Sequence, residues 1–216
     1  MKKLQTPLLL QGFLDDDFSW RLKEIADVKI LAKQAISFRQ RTLIRAGVPL
    51  LYAHWEGFVK NSSLAYLNFV SCQGLSYREL ETCFVVFGVK RALAGLTSSR
   101  KSQLNIEAAE FFRSRMDDHA ILHLGHAVDT ESNLKSDVFE NIILSLGIDP
   151  AQYEPRYNLI DESLLKRRNS IAHGEYVDLD CEEYRGLADE VLQMMRWYKT
   201  DIENAAALEN YKRVAA

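Results

Sequence analysis

The stretch "LLKRRNSIAHGEY", residues 164–176, gathers more polar chemistry than the end of a helix needs. An apolar pair is followed by the cations Lys166, Arg167 and Arg168, the amide Asn169, and then His173 and Gly174. Successive helical residues turn by about 100°, so Asn169 and His173 fall nearly in line, and Arg168 is offset from His173 by about 140°. That spacing predicts an asparagine one turn below the histidine, holding its ring by a side-chain hydrogen bond and fixing the tautomer. Arg168 is expected to reach the same space from the flank, where the helix opens at Gly174. An imidazole can remove or supply a proton, and a guanidinium fork binds anions. Together they suit phosphodiester chemistry, in which charge grows on a pentacoordinate phosphorus. Plain helix termination accounts for part of the same pattern. Lys166 and Arg167 complement the negative end of a helix dipole, and His173 can serve as a C-terminal cap.

These residues need a frame, and the apolar periodicity supplies one. From Phe18, apolar residues recur at Leu22, Ile25, Val28, Leu31, Ala35 and Phe38, the stripe of an amphipathic helix. "AGVP" at 46–49 predicts a break, with Pro49 in the first turn of a new helix. A stronger stripe follows: Val48, Leu51, Tyr52, Trp55, Phe58, Val59, Ser62, Tyr66 and Phe69. Two long helices with a short break between them are expected to form an antiparallel hairpin. Ser76 and Glu79 have the spacing of a capping box that opens a helix over "SYRELETCFVVFGVKRAL". Residues 94–135 are less periodic, with "GLTSSRKSQ" and "DTESN" reading as loops. "SDVFENIILSLGID" is a short helix stopped near Gly147, and "DPAQYEPRYN" is expected to be extended. Asp161 is the predicted N-cap of the helix that carries Arg168, and Gly174 its left-handed C-cap. Asp180 and Glu183 open a last helix with the stripe Leu187, Val191, Met194, Met195, Tyr198, Ile202 and Ala205. The reading is a single all-α domain over 1–216, with about 80–155 as an inserted or irregular region.

Composition narrows the function. With 4 prolines and 10 glycines in 216 residues, turns are few and long helices are favoured. A net charge of -3 excludes the global positive field of a general nucleic-acid coat protein, while leaving room for a local basic cleft. Cys72, Cys83 and Cys181 are odd in number and form no CxxC pair, which points to a reducing cytoplasm. The start, "MKKLQTPLLLQGFLDDD", has its apolar run interrupted by Gln5, Pro7 and Gln11, unlike a signal peptide. No stretch reaches the roughly 18 apolar residues of a membrane span, so no membrane association is expected.

Other constellations compete for attention. His119, His123 and His126 lie at i, i+4 and i+7, one face of a helix and a candidate metal triad, with Asp117 and Asp118 as further oxygen ligands. Histidine-rich surface turns produce the same pattern. His54 and Glu56 stand two apart and so on different helical faces, while Trp55 reads as core. Lys90, Arg91, Arg100 and Lys101 are candidate phosphate contacts or a solvated face. Walker, GxGxxG, GxSxG and HExxH motifs are absent from the sequence.

"RRNSIAHGEY" resembles the Arg-x4-His motif of the HEPN superfamily, in the form with a polar residue directly after the arginine. "LLYAHWEGFVKNSSLAYLNFV" at 51–71 is similar to the second helix of stand-alone bacterial HEPN endoribonuclease-like proteins. With the final helix, the resemblance covers both ends of the chain and leaves about 80–155 aside. It implies an antiparallel helical bundle that forms a homodimer and brings two Arg-His motifs into one cleft. It further implies RNA cleavage without metal or other cofactor, in a toxin or phage-defence setting with a cognate antitoxin protein as candidate partner. Arg168 and His173 are then the catalytic pair and Asn169 their support, with Arg167 and Lys166 as candidate substrate contacts. One departure stands out. HEPN toxins silenced by a nucleotidyltransferase antitoxin carry a tyrosine two residues after the histidine, where this chain has Glu175, with Tyr176 one further on. Two other readings remain: a non-catalytic HEPN partner or nucleotide-binding module, and a metal-dependent hydrolase built on the three histidines.

Overall fold

A computed structural model describes residues 3–98, 102–125 and 127–214, without the side chains of 91–98 and 104. Helix α1, Pro7–Gln34, begins well before Phe18 because its start is well made. The Thr6 hydroxyl accepts the Leu9 N–H at 3.2 Å, and Pro7 sits where a missing N–H costs nothing. Helix α2, Ser37–Ser71, follows after only Ala35 and Ile36. The hairpin is antiparallel: the Asn68 side chain accepts the Leu4 N–H, Arg21 reaches the His54 carbonyl, and Gln40 donates to the Ala32 and Ala35 carbonyls.

The predicted break at 46–49 is not there. Helix α2 runs through both Gly47 and Pro49. Gly47 is a close-approach residue, since a Cβ there would lie 2.6 Å from the Tyr184 hydroxyl. Pro49 forfeits one ladder bond, which the buried stripe from Val48 to Phe69 outweighs. The real break at 35–36 ends the hairpin, and so Leu31 and Phe38 of the first predicted stripe are exposed rather than buried.

Helix α7, Cys181–Ala207, lies across the hairpin and opens with the expected capping box of Asp180 and Glu183. Its predicted stripe is buried throughout, from Leu187 to Ala205. Phe139 packs edge-on against both Trp55 and Tyr198, tying α2, α7 and the short helix α5, Ser136–Ser145, into one core that reaches from Leu4 to Tyr211. Each such buried ring removes enough apolar area from water to contribute about 2–3 kcal/mol.

The middle differs from expectation in several places. Ser76 and Glu79 do pair, with the carboxylate accepting from the Ser76 N–H and hydroxyl, but they close a turn. Helix α3, Thr82–Ser98, begins only afterwards, because Ser76 is engaged in an isolated antiparallel bridge with His119 and Leu80 in another with Lys212. Helix α3 runs into the stretch "GLTSSRKSQ" read as loop, and helix α4, Ser102–Ser114, starts within it and continues through the less periodic region. Gly147 follows Leu146, the C-cap of α5, and its φ of 70° is the left-handed conformation suited to that stop. "DPAQYEPRYN" is not extended. Pro150 opens a turn whose carbonyl accepts the Tyr153 N–H, and Pro155 lies in a short 3₁₀ turn, Glu154–Arg156. Among the described residues no strand forms, and the chain is an all-α antiparallel bundle.

Candidate active site

The helix bearing the polar cluster is built in two parts. Leu159–Leu165 is wound as a π-helix, with the Lys166 N–H donating to the Asp161 carbonyl five residues back, and helix α6, Lys166–Ala172, continues from it. The wide turn changes what Asp161 does. It does not cap its own helix; its carboxylate accepts the Ser136 N–H at 2.8 Å and the Ser136 hydroxyl at 2.6 Å, and so caps α5 from outside. That clasp brings the stretch 133–135 against α6. Single π turns within helices are frequent at functional sites, where the extra residue re-aims side chains.

Arg168 is held by three groups from three parts of the chain. Its Nη1 donates to the side-chain oxygens of Asn133 at 3.2 Å and Asn169 at 2.7 Å. Its guanidinium carbon lies 4.6 Å from the centre of the Tyr52 ring on α2. The Tyr52 hydroxyl oxygen accepts the Leu134 N–H at 2.6 Å, which fixes both the ring and the loop. Burial, with some help from the Glu56 carboxylate, pushes the Tyr52 phenol above its ordinary pKa and keeps it neutral. The partners of Arg168 are thus two amides and an aromatic face. No carboxylate of the described residues lies within ion-pair distance of it.

His173 sits at the C-cap, exposed, with φ -84° and ψ 5°. Its N–H donates to the Asn169 carbonyl at 2.9 Å; the Gly174 N–H reaches Ile171 and the Glu175 N–H reaches Ser170. This is a Schellman ending, and Gly174, at φ 82°, takes the left-handed position predicted for it. Arg45 of α2 donates to the carbonyls of Ile171 and Glu175 and fastens the helix end to the hairpin. His173 faces a shallow groove of about 500 Å³ whose walls include Lys135, Asp161, Asn169, Ser170 and Glu175.

The expected bond from Asn169 to the His173 ring is replaced by one to Arg168. A guanidinium next door offers the Asn169 oxygen a charge-assisted donor. Asn169 therefore lines the groove that His173 lines while orienting Arg168, and the two predicted catalytic residues meet only through it. Lys166 also lines the groove, with its ammonium on Glu162 at 2.6 Å, whereas Arg167 is not among the walls. Sequence reasoning missed Tyr52, Asn133 and Arg45. Tyr52 was hidden inside a core stripe, and nothing marked an asparagine in a loop as the partner of Arg168.

The competing constellations come apart. Residues 119–124 are not helical, so the i, i+4, i+7 face of the histidines does not exist. His119 is exposed in its bridge to Ser76, the His123 N–H donates to the Phe87 carbonyl, and His126 lies outside the described residues. Among the described residues no three His, Cys, Asp or Glu side chains converge as metal ligands. His54 is buried, its Nε2 2.8 Å from Glu24 and its ring against Trp20, far from a free base. Lys90 is exposed, while Arg100, Lys101 and the side chain of Arg91 fall outside the described residues. No described helix is long and apolar enough to cross a membrane.

Comparison with known proteins adds one finding. No curated protein and no solved structure matches the chain. A model of the family described as RiboL-PSP-HEPN, however, matches residues 16–204, from within α1 to the last turn of α7. That range takes in the hairpin, the Arg168 helix and the final helix together. The chain belongs to the RiboL-PSP-HEPN family, within a superfamily that includes ribonucleases.

Proposed function

We propose that this chain is a metal-independent endoribonuclease, a toxin-type or phage-defence effector of the cytoplasm that acts as a homodimer. The observation that carries the reading is the setting of Arg168. A cation held in place by neutral amides and a ring keeps its charge for an incoming anion, and a phosphate is the anion of RNA. His173, exposed at the adjoining groove, supplies the proton carrier.

The chemistry follows from these parts. The ribose 2′-hydroxyl loses its proton to one imidazole and attacks the neighbouring phosphorus. The new O2′–P bond forms as the P–O5′ bond breaks, and the 5′-oxygen takes a proton from a second imidazole. The products are a 2′,3′-cyclic phosphate and a 5′-hydroxyl. Arg168 stabilises the charge on the phosphorane oxygens. One chain offers one such histidine, so a two-fold axis beside α6 supplies the second and doubles the arginine. RNA is preferred over DNA because the nucleophile is the substrate's own 2′-hydroxyl. A cognate antitoxin would act by covering this cleft.

Cleavage of a mixed RNA in excess EDTA, and its loss on a substrate with deoxyribose at the cut nucleotide, tests the route. Cutting of the deoxy substrate would point to an activated water instead. A purified mixed dimer of one wild-type and one His173→Ala chain is expected to be nearly inactive; half or more of wild-type activity would refute the shared cleft. The alternative, a non-catalytic HEPN partner or nucleotide-binding module, is favoured by one observation, that Asn169 orients Arg168 and no described side chain holds the His173 ring. RNA that is bound and never cut would establish it.

A further inference from the structure

Behind the His173 turn lies a second cavity, of about 310 Å³, between the first turns of α2 and the stretch 171–179. Phe38 and Arg41 from α2 and Gly174, Tyr176 and Asp178 from the loop are among its walls. Phe38 is 81 % and Tyr176 75 % exposed, so each ring leaves most of its surface in water. Exposed apolar surface gathered at a concavity and rimmed by polar groups is the pattern of a binding groove. Arg41 is exposed on the second turn of α2, and no described carboxylate pairs with it. Arg45 is committed to the Ile171 and Glu175 carbonyls, which hold the loop wall in place.

We propose that this cavity is a subsite for one unpaired nucleobase of the RNA, stacked on Phe38 and Tyr176, with the adjoining phosphate on Arg41. The inference rests on the ribonuclease reading and extends it to how substrate is held. Aromatic rings beside a cation are the means by which proteins grip single strands without a fixed sequence, because every base has a π face. The cavity suits a splayed-out base and is too small for a duplex. Asp178 repels a phosphate from its own wall and accepts from an amino edge, which sets the base inward and the backbone toward Arg41. Tyr176 stands three residues from His173, at most about 10 Å of chain, so the base belongs to a nucleotide near the one being cut.

The test uses the full chain carrying His173→Ala, so that RNA is bound without being cut. The probe is a single-stranded RNA of about twelve nucleotides containing 2-aminopurine. Phe38→Ala and Tyr176→Ala are each expected to weaken binding by about 5–100-fold and to relieve quenching of the probe, while Tyr176→Phe retains both. A duplex of the same sequence should be indifferent to all of these changes. Unchanged single-strand affinity in both alanine variants would overturn the subsite, as would equal losses on the duplex. If the variants instead reduce the mass in light scattering with RNA affinity intact, a second copy of the chain occupies the cavity and the proposal fails. Wild-type protein that neither binds nor cuts RNA would remove the ribonuclease reading itself; wild-type protein that cuts RNA, with normal binding in the ring variants, would remove only the subsite.

Discussion

Arg21 and Arg168 each lie against an aromatic ring at a helix contact, yet only Arg21 is paired with a carboxylate. Arg21 is 5 % exposed between α1 and α2. Its Nε and Nη2 grip the two oxygens of Asp17 at 3.0 and 3.1 Å, its Nη1 points to the His54 carbonyl, and Trp20 lies 4.5 Å below. Asn61 and Trp20 donate to the same carboxylate. Gly57 makes room for the guanidinium, since a Cβ there would meet its Nη1 at 2.9 Å. Every charge in that cluster has its counterpart. Arg168 has an equally fixed position, through Tyr52, Asn133 and Asn169, but its oxygen partners carry no formal charge. A closed ion pair serves the fold. An oriented cation with no carboxylate in ion-pair reach is left free to meet an anion, and the two arginines, one on α1 and one on α6, differ in that respect.

The comparison can be broken by mutation. His173→Ala should cost about 10²–10⁴-fold in RNA cleavage, the usual scale for a proton carrier, with the protein still folded. Circular dichroism alongside a cleavage assay checks both halves. Arg21→Ala should act on the other side of the divide, leaving the partly buried Asp17 carboxylate without its cation and destabilising the fold by about 3 kcal/mol, the lower end for a broken buried pair, in denaturant titration. Cleavage per folded molecule should be retained. Gly47→Ala should cost about 1–3 kcal/mol, because the new methyl overlaps the Tyr184 hydroxyl and neither helix can withdraw without disturbing the core; a loss of less than that would mean that Tyr184 swings aside.

The smallest effect concerns pH. Burial lowers the pKa of His54 below its ordinary 6.5, with the Glu24 carboxylate opposing in part. The unfolded chain therefore takes up the proton first as pH falls. Stability from this residue is intact above 6.5 and is lost as pH drops from there through the folded pKa. His54→Gln should flatten that slope in thermal unfolding, and an unchanged slope would assign the acid sensitivity elsewhere.

What could be read in the sequence was whatever a single helix decides by itself. The stripes of α2 and α7, the capping box at Asp180 and the left-handed Gly174 each depend on neighbours within one turn or one face, and all are as expected. Failures occurred where a distant residue took over a local signal. Gly47 reads as a break until Tyr184 is laid across it, and Asp161 reads as a cap for its own helix until the π turn hands it to Ser136. The histidines at 119 and 123 share a helical face only if the segment is helical, and its bridge to Ser76 prevents that. The site followed the same rule. Arg168, Asn169 and His173 stood out as neighbours in sequence, while Tyr52 and Asn133, which orient the arginine from 116 and 35 positions away, did not.

The central claim is that Arg168 is kept for a phosphate and not for the fold. Arg168→Lys tests it most directly, because the charge stays while the planar bidentate fork that Arg168 would present to a phosphate is lost. Thermal unfolding and RNA cleavage in excess EDTA should be measured on the same preparation, beside wild type. The account predicts an unfolding temperature close to wild type and cleavage reduced by about 10²-fold or more. Wild-type cleavage in the lysine variant, or a loss of cleavage that merely tracks unfolding, would contradict it.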